Sequence, residues 1–189
     1  MLAKTGLLIV SNPKQIHKIL SSIHKQVKNT LYIQLLSALG DPLGAFQPVV
    51  FNTWPKFSKT LFNIYSQVAV HCNHLDVRVL ISGLKYNIPK INTKSPIDLV
   101  IFDKTYKKSD IEQFIKGKIN NITEKFEIIT VDTGKAEFEE ENIDEFLADH
   151  VVLGGTFDRI HVAHKFLLSE VALRSKKIAT VCVKTIVLF

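Results

Sequence analysis

The chain contains 189 residues, of which 46% are hydrophobic and 22% are charged, a balance typical of a globular protein with a sizeable core. Its two cysteines are too few for a disulfide framework, and no apolar run is long enough to span a membrane, so we predict a cytoplasmic protein and leave an association with mitochondria open. The net charge is +6, but the lysines are spread without arginine clusters or interleaved aromatic side chains, which argues against a specific nucleic-acid partner.

Strand and helix patterns alternate from the amino terminus onward. Residues 6–10 form a short apolar strand that ends before Asn12-Pro13, residues 14–28 place apolar side chains at helical spacing, and residues 30–36 predict the next strand. A strand–helix–strand unit of this kind favours a parallel sheet.

The same alternation continues to about residue 132. After a loop rich in glycine and proline over 40–55, the sequence predicts a helix over 57–70, a strand over 74–83, a loop over 84–96, a strand over 97–103, a helix over 109–122 and a strand over 126–132. We therefore predict an N-terminal parallel-sheet α/β domain over residues 1–132. Its basic surface is the expected contact for a protein partner or a membrane surface.

Acidic residues are concentrated between this domain and the last part of the chain. Residues 137–149 hold seven of the 18 acidic residues and no lysine or arginine, which leaves 24 basic residues against 11 acidic ones elsewhere. We predict a linker over 133–149, although a solvated acidic helix would have the same composition. A second, smaller α/β unit is predicted over residues 150–189.

The beginning of this second unit carries the strongest functional signal. An apolar strand leads through a glycine turn into a helix, and backbone N–H groups at such a turn, together with the partial positive charge of the helix N-terminus, favour an anion. Two histidines three residues apart lie on one helical face, where both can donate to phosphate oxygens. We expect Asp158 to cap the helix. The residues predicted to contact a phosphate are Gly154, Gly155, Thr156, Phe157, His161 and His164.

The histidines and the neighbouring charged residues also allow other interpretations. The two histidines are compatible with half of a metal site, but no further ligands follow at suitable spacing, and we predict no metal. Lys165 is expected to face solvent. Asp76 and Arg78 alternate along one strand face, where a surface ion pair accounts for them.

The segment from Gly154 to His164 resembles the signature of the cytidylyltransferase-like nucleotidyltransferases, which have a GTFD-type turn followed by a T/H-x-G-H box. The arginine after the aspartate and the H-x-x-H-K continuation are similar to the phosphopantetheine adenylyltransferase domain of animal bifunctional coenzyme A synthases. Segments 6–10, 30–32 and 74–78 resemble the N-terminal region of the same family. The resemblance implies that residues 150–189 are an incomplete Rossmann-like β-α-β unit of a nucleotidyltransferase.

Enzymes of this family transfer AMP from ATP to 4′-phosphopantetheine, giving dephospho-coenzyme A and pyrophosphate. The resemblance implies that His164 hydrogen-bonds the α-phosphate, that Thr156 orients the attacking phosphate, and that His161 lines the triphosphate site. The backbone from Gly154 to Phe157 would hold the nucleotide, and Mg²⁺ would accompany ATP.

Two departures from the family pattern bear on activity. Ala163 occupies the position of the box glycine, and the sequence after residue 183 does not match the rest of the family's domain. We therefore expect a shortened form of the enzyme with weak or no turnover by itself. The main alternative is a non-catalytic interaction or scaffolding module that acts through the N-terminal domain, and a related enzyme acting on another phosphorylated alcohol is a third hypothesis.

Overall fold

The computed structural model describes residues 2–46, 55–86, 88–134, 147–157 and 159–184, so most of the predicted linker (135–146) and Asp158 lie outside the described residues. The strands are β1 (Ala3–Val10), β2 (Val27–Leu35), β3 (Asp76–Leu80), β4 (Ile97–Phe102), β5 (Ile122–Thr130), β6 (Ala148–Gly155) and β7 (Ser175–Val183). The helices are α1 (Ile16–Ile23), α2 (Pro55–His71), α3 (Ser82–Tyr86), α4 (Lys108–Lys118) and α5 (Val162–Arg174). No helix within these ranges is long and apolar enough to cross a membrane.

Strands β1 to β5 form one parallel sheet in the order β3-β2-β1-β4-β5. β1 lies at its centre with β4 beside it, and both strands are largely buried, as expected for parallel strands covered by helices. The α/β class and the parallel sheet predicted from the sequence are therefore confirmed. The chain order reverses between β1 and β4, so the carboxyl ends of these two strands mark the topological switch point of the sheet.

Several element boundaries differ from the sequence prediction. The strand predicted over 74–83 is only Asp76–Leu80, the helix predicted over 109–122 ends at Lys118, and the strand predicted over 126–132 begins already at Ile122. The helix predicted over 14–28 is a single 3-10 turn at Pro13–Gln15 followed by α1, which ends at Ile23. β2 begins already at Val27, because Val27 pairs with Ala3 and strand pairing overrides the local helical spacing. The loop predicted over 84–96 begins later than expected, since α3 extends to Tyr86.

Helices cover both faces of the five-stranded sheet and separate two apolar cores. Side chains of α1 and α2 pack around Leu8 and Ile101 on one face. On the other face, the ring of Phe46 stacks between Tyr106 and Phe114, with centroids 4.0 and 4.2 Å away. Because alternate residues of each strand point to opposite faces, this sheet has a complete core on both sides.

β6 and β7 form a separate two-stranded parallel sheet, joined by α5. Much of its apolar surface remains in contact with solvent, since Val152, Ile178 and Val183 are each half exposed or more. Two strands and one helix cannot build a second covering layer of their own. The attachment of this unit to the rest of the molecule therefore depends on α5.

α5 packs against α2 and so joins the two sheets. Leu173 is buried in the same core as α1 and α2, and the ring of Phe166 lies edge-on to Phe62 with centroids 5.6 Å apart. Beside these apolar contacts, the hydroxyl of Ser58 donates to Oε1 of Glu170 at 2.7 Å. The interface thus combines core burial near the end of α5 with polar contacts along its length.

Candidate functional site

The predicted phosphate-binding segment lies at the carboxyl edge of the two-stranded sheet. β6 ends at Gly155 and β7 at Val183, and these residues pair in register. The N–H of Lys184 donates to the carbonyl of Gly155 at 3.1 Å. Because the strands are parallel, their carboxyl ends and the start of α5 share one edge, which is where open α/β sheets bind ligands.

The two turn glycines have different surroundings. A Cβ atom at Gly155 would lie 3.2 Å from Cε2 of Phe157, so the aromatic ring already covers this side of the backbone. A Cβ atom at Gly154 would have no other atom within 4 Å, which leaves that backbone open to a ligand. Neither glycine uses its freedom to adopt a left-handed conformation, since Gly44 and Gly134 are the positive-φ glycines among the described residues.

Helix α5 starts at an uncapped histidine. His161 has extended backbone angles (φ −116°, ψ −179°), and its side chain makes no capping hydrogen bond. Its carbonyl accepts the N–H of Lys165 at 3.1 Å, the first hydrogen bond of the helix. The predicted cap, Asp158, lies outside the described residues. Since the His161 side chain does not bind the N–H groups of the first turn, these groups and the helix dipole favour an anion at this position.

His161 and His164 lie side by side at this helix start, with ring centroids 3.9 Å apart. Nδ1 of His164 donates to the carbonyl oxygen of Arg159 at 3.1 Å, and the ring of Phe157 packs on the same imidazole at 4.6 Å. Nε2 of His164 is therefore the nitrogen that can meet a ligand. With Nδ1 already carrying a hydrogen, Nε2 donates to a phosphate oxygen when the ring is protonated.

Of the six predicted site residues, His164 contacts both His161 and Phe157 through its ring, and the Phe157 ring lies beside the backbone of Gly155. Thr156 directly follows β6 and is exposed, as is His161. Within the described ranges no group of three or more His, Cys, Asp or Glu side chains is arranged to hold a metal ion. The arrangement can donate hydrogen bonds to an anion, but it does not enclose that anion away from water.

Lys165 does not face solvent, contrary to the prediction. Its side chain is 17% exposed, and Nζ forms an ion pair with Asp76 and donates to the carbonyl of Val77 at 3.0 Å. Asp76 also pairs with Arg78 at 2.7 Å, and this ion pair was predicted. The prediction for Lys165 fails because the sequence does not show that α5 packs across the edge of β3.

The contacts at β3 protect the edge of the five-stranded sheet. β3 has a strand neighbour on one side only. On its other side Lys165 binds the carbonyl of Val77, and the phenol oxygen of Tyr65 accepts the N–H of Val79 at 3.4 Å. Side chains from α5 and α2 thus occupy backbone groups that could otherwise pair with a strand of another molecule.

The pKa of Asp76 reflects two opposing effects. Burial raises it, but hydrogen bonds and charges from Arg78 and Lys165 outweigh burial and hold it below its usual value of 3.8. A carboxyl group with a lowered pKa in the folded state stabilises the fold above its unfolded-state pKa. That stabilisation is lost as the pH falls through the folded-state pKa.

Acid is therefore predicted to weaken the attachment of α5 through Asp76. The free energy of unfolding of the wild type should fall as the pH decreases below 3.8. Asp76→Asn should show a weaker fall over the same pH range. At neutral pH the variant should be less stable by about 1 kcal/mol at most, because solvent screens a carboxylate that is more than a third exposed. Urea unfolding followed by circular dichroism at a series of pH values measures both effects, and an identical pH dependence in the two proteins would contradict the prediction.

A second polar cluster, which the sequence analysis did not identify, lies at the switch point of the five-stranded sheet. Asp103 directly follows β4 and is 3% exposed. Its carboxylate accepts the N–H of Ser11 at 2.6 Å, the N–H of Asn12 at 2.9 Å and the hydroxyl of Ser11 at 2.9 Å. Ser11 and Asn12 directly follow one apolar run and Asp103 directly follows another, and this pattern could have indicated polar groups at two strand ends. Only the strand order, which the sequence does not show, brings these two ends together.

In this cluster, the N–H groups of Ser11 and Asn12 and the hydroxyl of Ser11 are paired with the carboxylate of Asp103. The N–H groups after β1, which in related architectures face a ligand, are bound to the carboxylate of Asp103. Burial raises the pKa of Asp103, and its hydrogen bonds with Asn12 and Ser11 offset only part of that effect. Burial and the nearby charge of Asp103 also raise the pKa of Tyr106. The switch point is therefore occupied by a side chain of the protein itself.

The fold and the sites define an α/β protein with a five-stranded parallel sheet and an attached strand–helix–strand unit that presents two histidines at a helix start. No family model matches the chain, and comparisons with curated proteins and with solved structures likewise found no match.

Proposed function

We propose that the turn between β6 and α5 binds the phosphates of ATP, and that the reaction is the transfer of AMP to 4′-phosphopantetheine. The observation that carries the proposal is the pair of imidazoles of His161 and His164, 3.9 Å apart at the start of α5, where the His161 side chain makes no capping hydrogen bond. The resemblance of residues 154–164 to the nucleotidyltransferase box supports the choice of this reaction, in a Rossmann-like unit formed by β6, α5 and β7.

The proposed reaction depends on positioning and charge stabilisation. The phosphate of 4′-phosphopantetheine attacks the α-phosphorus of ATP in line and pyrophosphate leaves, with no covalent enzyme intermediate. His164, held at Nδ1 by the carbonyl of Arg159, would direct Nε2 at the α-phosphate and stabilise the charge that develops there. Thr156 would orient the attacking phosphate, and the open backbone at Gly154 would lie along the nucleotide. Mg²⁺ brought with ATP would neutralise part of the phosphate charge.

The open position of the site accounts for the low turnover that we expect. Thr156 and His161 are exposed, and both strands beside them are largely in contact with solvent. Hydrogen bonds to developing charge stabilise a transition state less in water than in an enclosed site. ATP binding should therefore be measurable while pyrophosphate release remains slow.

His164→Ala tests this proposal. Calorimetric titration with Mg²⁺-ATP should show binding to the wild type that weakens about tenfold in the variant, because a charge-assisted hydrogen bond to phosphate is lost. Pyrophosphate release in the presence of 4′-phosphopantetheine should be slow in the wild type and absent in the variant. His17→Ala is the matched control, since His17 is an exposed histidine on α1 and its loss should change neither quantity.

Two outcomes would contradict the proposal. Equal ATP affinity in the wild type and His164→Ala would overturn the phosphate site at the start of α5. Pyrophosphate release that persists unchanged in His164→Ala would overturn the catalytic role of His164. Rapid release that is lost in the variant would retain the site and refute only the expected low turnover.

One observation favours a second candidate function, a non-catalytic interaction module formed by the five-stranded domain. The ligand position of such a sheet is its switch point, and here the buried carboxylate of Asp103 fills it. Contact through the basic surface with an acidic protein or an anionic membrane would need no such pocket. A chain that binds no ATP in the titration above, but floats with phosphatidylserine vesicles at low salt, would favour this function.

A further inference from the structure

A cavity of about 540 Å³ lies where α5 crosses the edge of the five-stranded sheet. This volume falls within the range of roughly 300–1,000 Å³ that is usual for small-molecule sites, and such sites are frequent where two structural units meet. None of the residues assigned to the ATP site lines it. Its wall is formed by Tyr65, Asp76, Arg78, Ile160, Lys165 and Leu168.

The polar part of the wall presents more hydrogen-bond donors than the protein uses. Arg78 directs Nε and Nη2 to the same oxygen of Asp76, at 2.9 and 2.7 Å, so three of its five N–H donors have no acceptor among the described residues. Lys165 uses two of its three donors, one on Asp76 and one on the carbonyl of Val77. Four donors are therefore available for a ligand at this wall.

The charge of the wall also favours an anion. Two cations, Arg78 and Lys165, share the single carboxylate of Asp76, which leaves one net positive charge. The lowered pKa of Asp76 keeps that carboxylate ionised at neutral pH, and burial raises the pKa of Tyr65, so its phenol stays neutral.

Asp76 also holds the two cationic groups in fixed positions. An arginine whose guanidinium is already oriented by one carboxylate loses little further side-chain freedom when it binds a second oxyanion. Ile160 and Leu168 add an aliphatic surface to the same wall. A pocket with a few convergent polar groups and an apolar wall suits a molecule that has both an anionic head and an apolar body.

We propose that this cavity binds a small organic anion, with its oxyanion head on Arg78 and Lys165 and its apolar body against Ile160 and Leu168. A carboxylate and a phosphate monoester present the same oxyanion chemistry to an arginine, and the experiment separates the two. The proposal does not depend on the function proposed above, because the cavity and the histidine pair use different side chains.

Titration of the full-length chain with benzoate and with phenyl phosphate tests the proposal, with the methyl resonances of Ile160 and Leu168 as reporters. Both resonances should shift in a saturable manner with at least one of the two anions, and the tighter probe identifies the preferred head group. Benzyl alcohol, which lacks the charge, and inorganic phosphate, which lacks the apolar body, should bind more weakly. Absence of saturable shifts with both anions at millimolar concentration would overturn the proposal.

Substitutions locate the binding. Arg78→Gln should raise the Kd of the preferred anion at least about tenfold, the usual effect of losing hydrogen bonds to a charged partner. Lys108→Gln removes one positive charge from a 92% exposed side chain on α4 and should leave the Kd unchanged. His164→Ala should also leave benzoate binding unchanged, so the cavity and the ATP site are tested separately.

A second substitution guards against damage to the fold. Ile160 is 54% exposed, so Ile160→Asp should fold normally while it removes apolar contact and repels an anion. With Leu168 as the reporter, this variant should also bind the anion more weakly. An unchanged Kd in a folded Arg78→Gln or Ile160→Asp protein would overturn the assignment.

Discussion

Replacing Asp103 with alanine is expected to lower the free energy of unfolding by about 3 kcal/mol. The substitution removes the acceptor for two backbone N–H groups and for the hydroxyl of Ser11, all of which are buried or partly buried. Water cannot readily replace a carboxylate that is 3% exposed, so these donors lose their partner and the strand end carries the full desolvation cost. Urea unfolding followed by circular dichroism measures the difference.

Asp98→Ala provides a matched control on the same sheet. Asp98 accepts the N–H groups of Lys4 and Thr5, both at 2.8 Å, beside the amino-terminal end of β1. It also makes two backbone hydrogen bonds, but its side chain is partly exposed, and water can satisfy the donors after its removal. We expect a loss of about 1 kcal/mol or less. Equal losses for Asp98→Ala and Asp103→Ala would show that burial at the switch point does not determine the effect.

The pKa of Asp103 adds a pH dependence to this prediction. Because burial raises its folded-state pKa above the usual 3.8, protonation of Asp103 favours the folded state. Its stabilising contribution is fully present below 3.8 and decreases as the pH rises through the folded-state pKa. The stability of the wild type relative to Asp103→Asn should therefore be larger near pH 3.8 than at neutral pH.

The second large effect is expected at the contact between α5 and the main core. Leu173 is 4% exposed and belongs to the core that α1 and α2 form on the five-stranded sheet. Leu173→Ala should cost about 3 kcal/mol, the combined effect of lost apolar burial and a residual cavity. Leu167 lies on the same helix but is 41% exposed, so Leu167→Ala should cost about 0.5 kcal/mol.

The shape of the unfolding curve distinguishes two ways in which this loss could appear. If α5 unfolds together with the large sheet, Leu173→Ala shifts a single transition to lower urea concentration. If β6, α5 and β7 detach first, an earlier transition appears and protease cleaves this unit before the rest of the chain. Equal stability of Leu173→Ala and Leu167→Ala would contradict the packing of α5 into the core.

The arrangement of α5 links the two proposed binding sites physically. His164 and Lys165 are neighbours at the start of α5, but their side chains contact different parts of the molecule. His164 packs against Phe157 in the turn after β6, whereas Lys165 forms an ion pair with Asp76 at the edge of β3. The contacts of Lys165 with Asp76 and Val77 attach the start of this helix to the large sheet. The acid-induced weakening predicted for Asp76 would therefore act on the helix that carries the histidine pair.

The sequence was sufficient to predict the strands of the main sheet and their parallel arrangement. Residues 6–10 and 99–102 are continuous apolar runs, and a central parallel strand is recognised by that pattern because both of its faces are buried. Local spacing was less reliable at residues 24–28, since the pairing of Val27 with Ala3 is a contact between distant positions. The sequence also placed the two histidines close together, but His161 precedes α5 with extended backbone angles, so the pair does not share one helical face as predicted.

Contacts between distant parts of the chain determined the rest. Three features join residues about 90 positions apart in the sequence. They are the ion pair of the half-buried Lys165, the enclosure of Asp103 by Ser11 and Asn12, and the cavity at β3. A local sequence pattern shows whether a segment is a helix or a strand, because the backbone geometry of each element fixes the spacing of the side chains on one face. It does not show which elements meet, because that depends on the order of the strands and on the packing of α5. The sequence therefore determined most of the elements and the nearness of the two histidines to the start of α5, whereas the tertiary structure decided which charged side chains are removed from solvent and where the cavity at β3 forms.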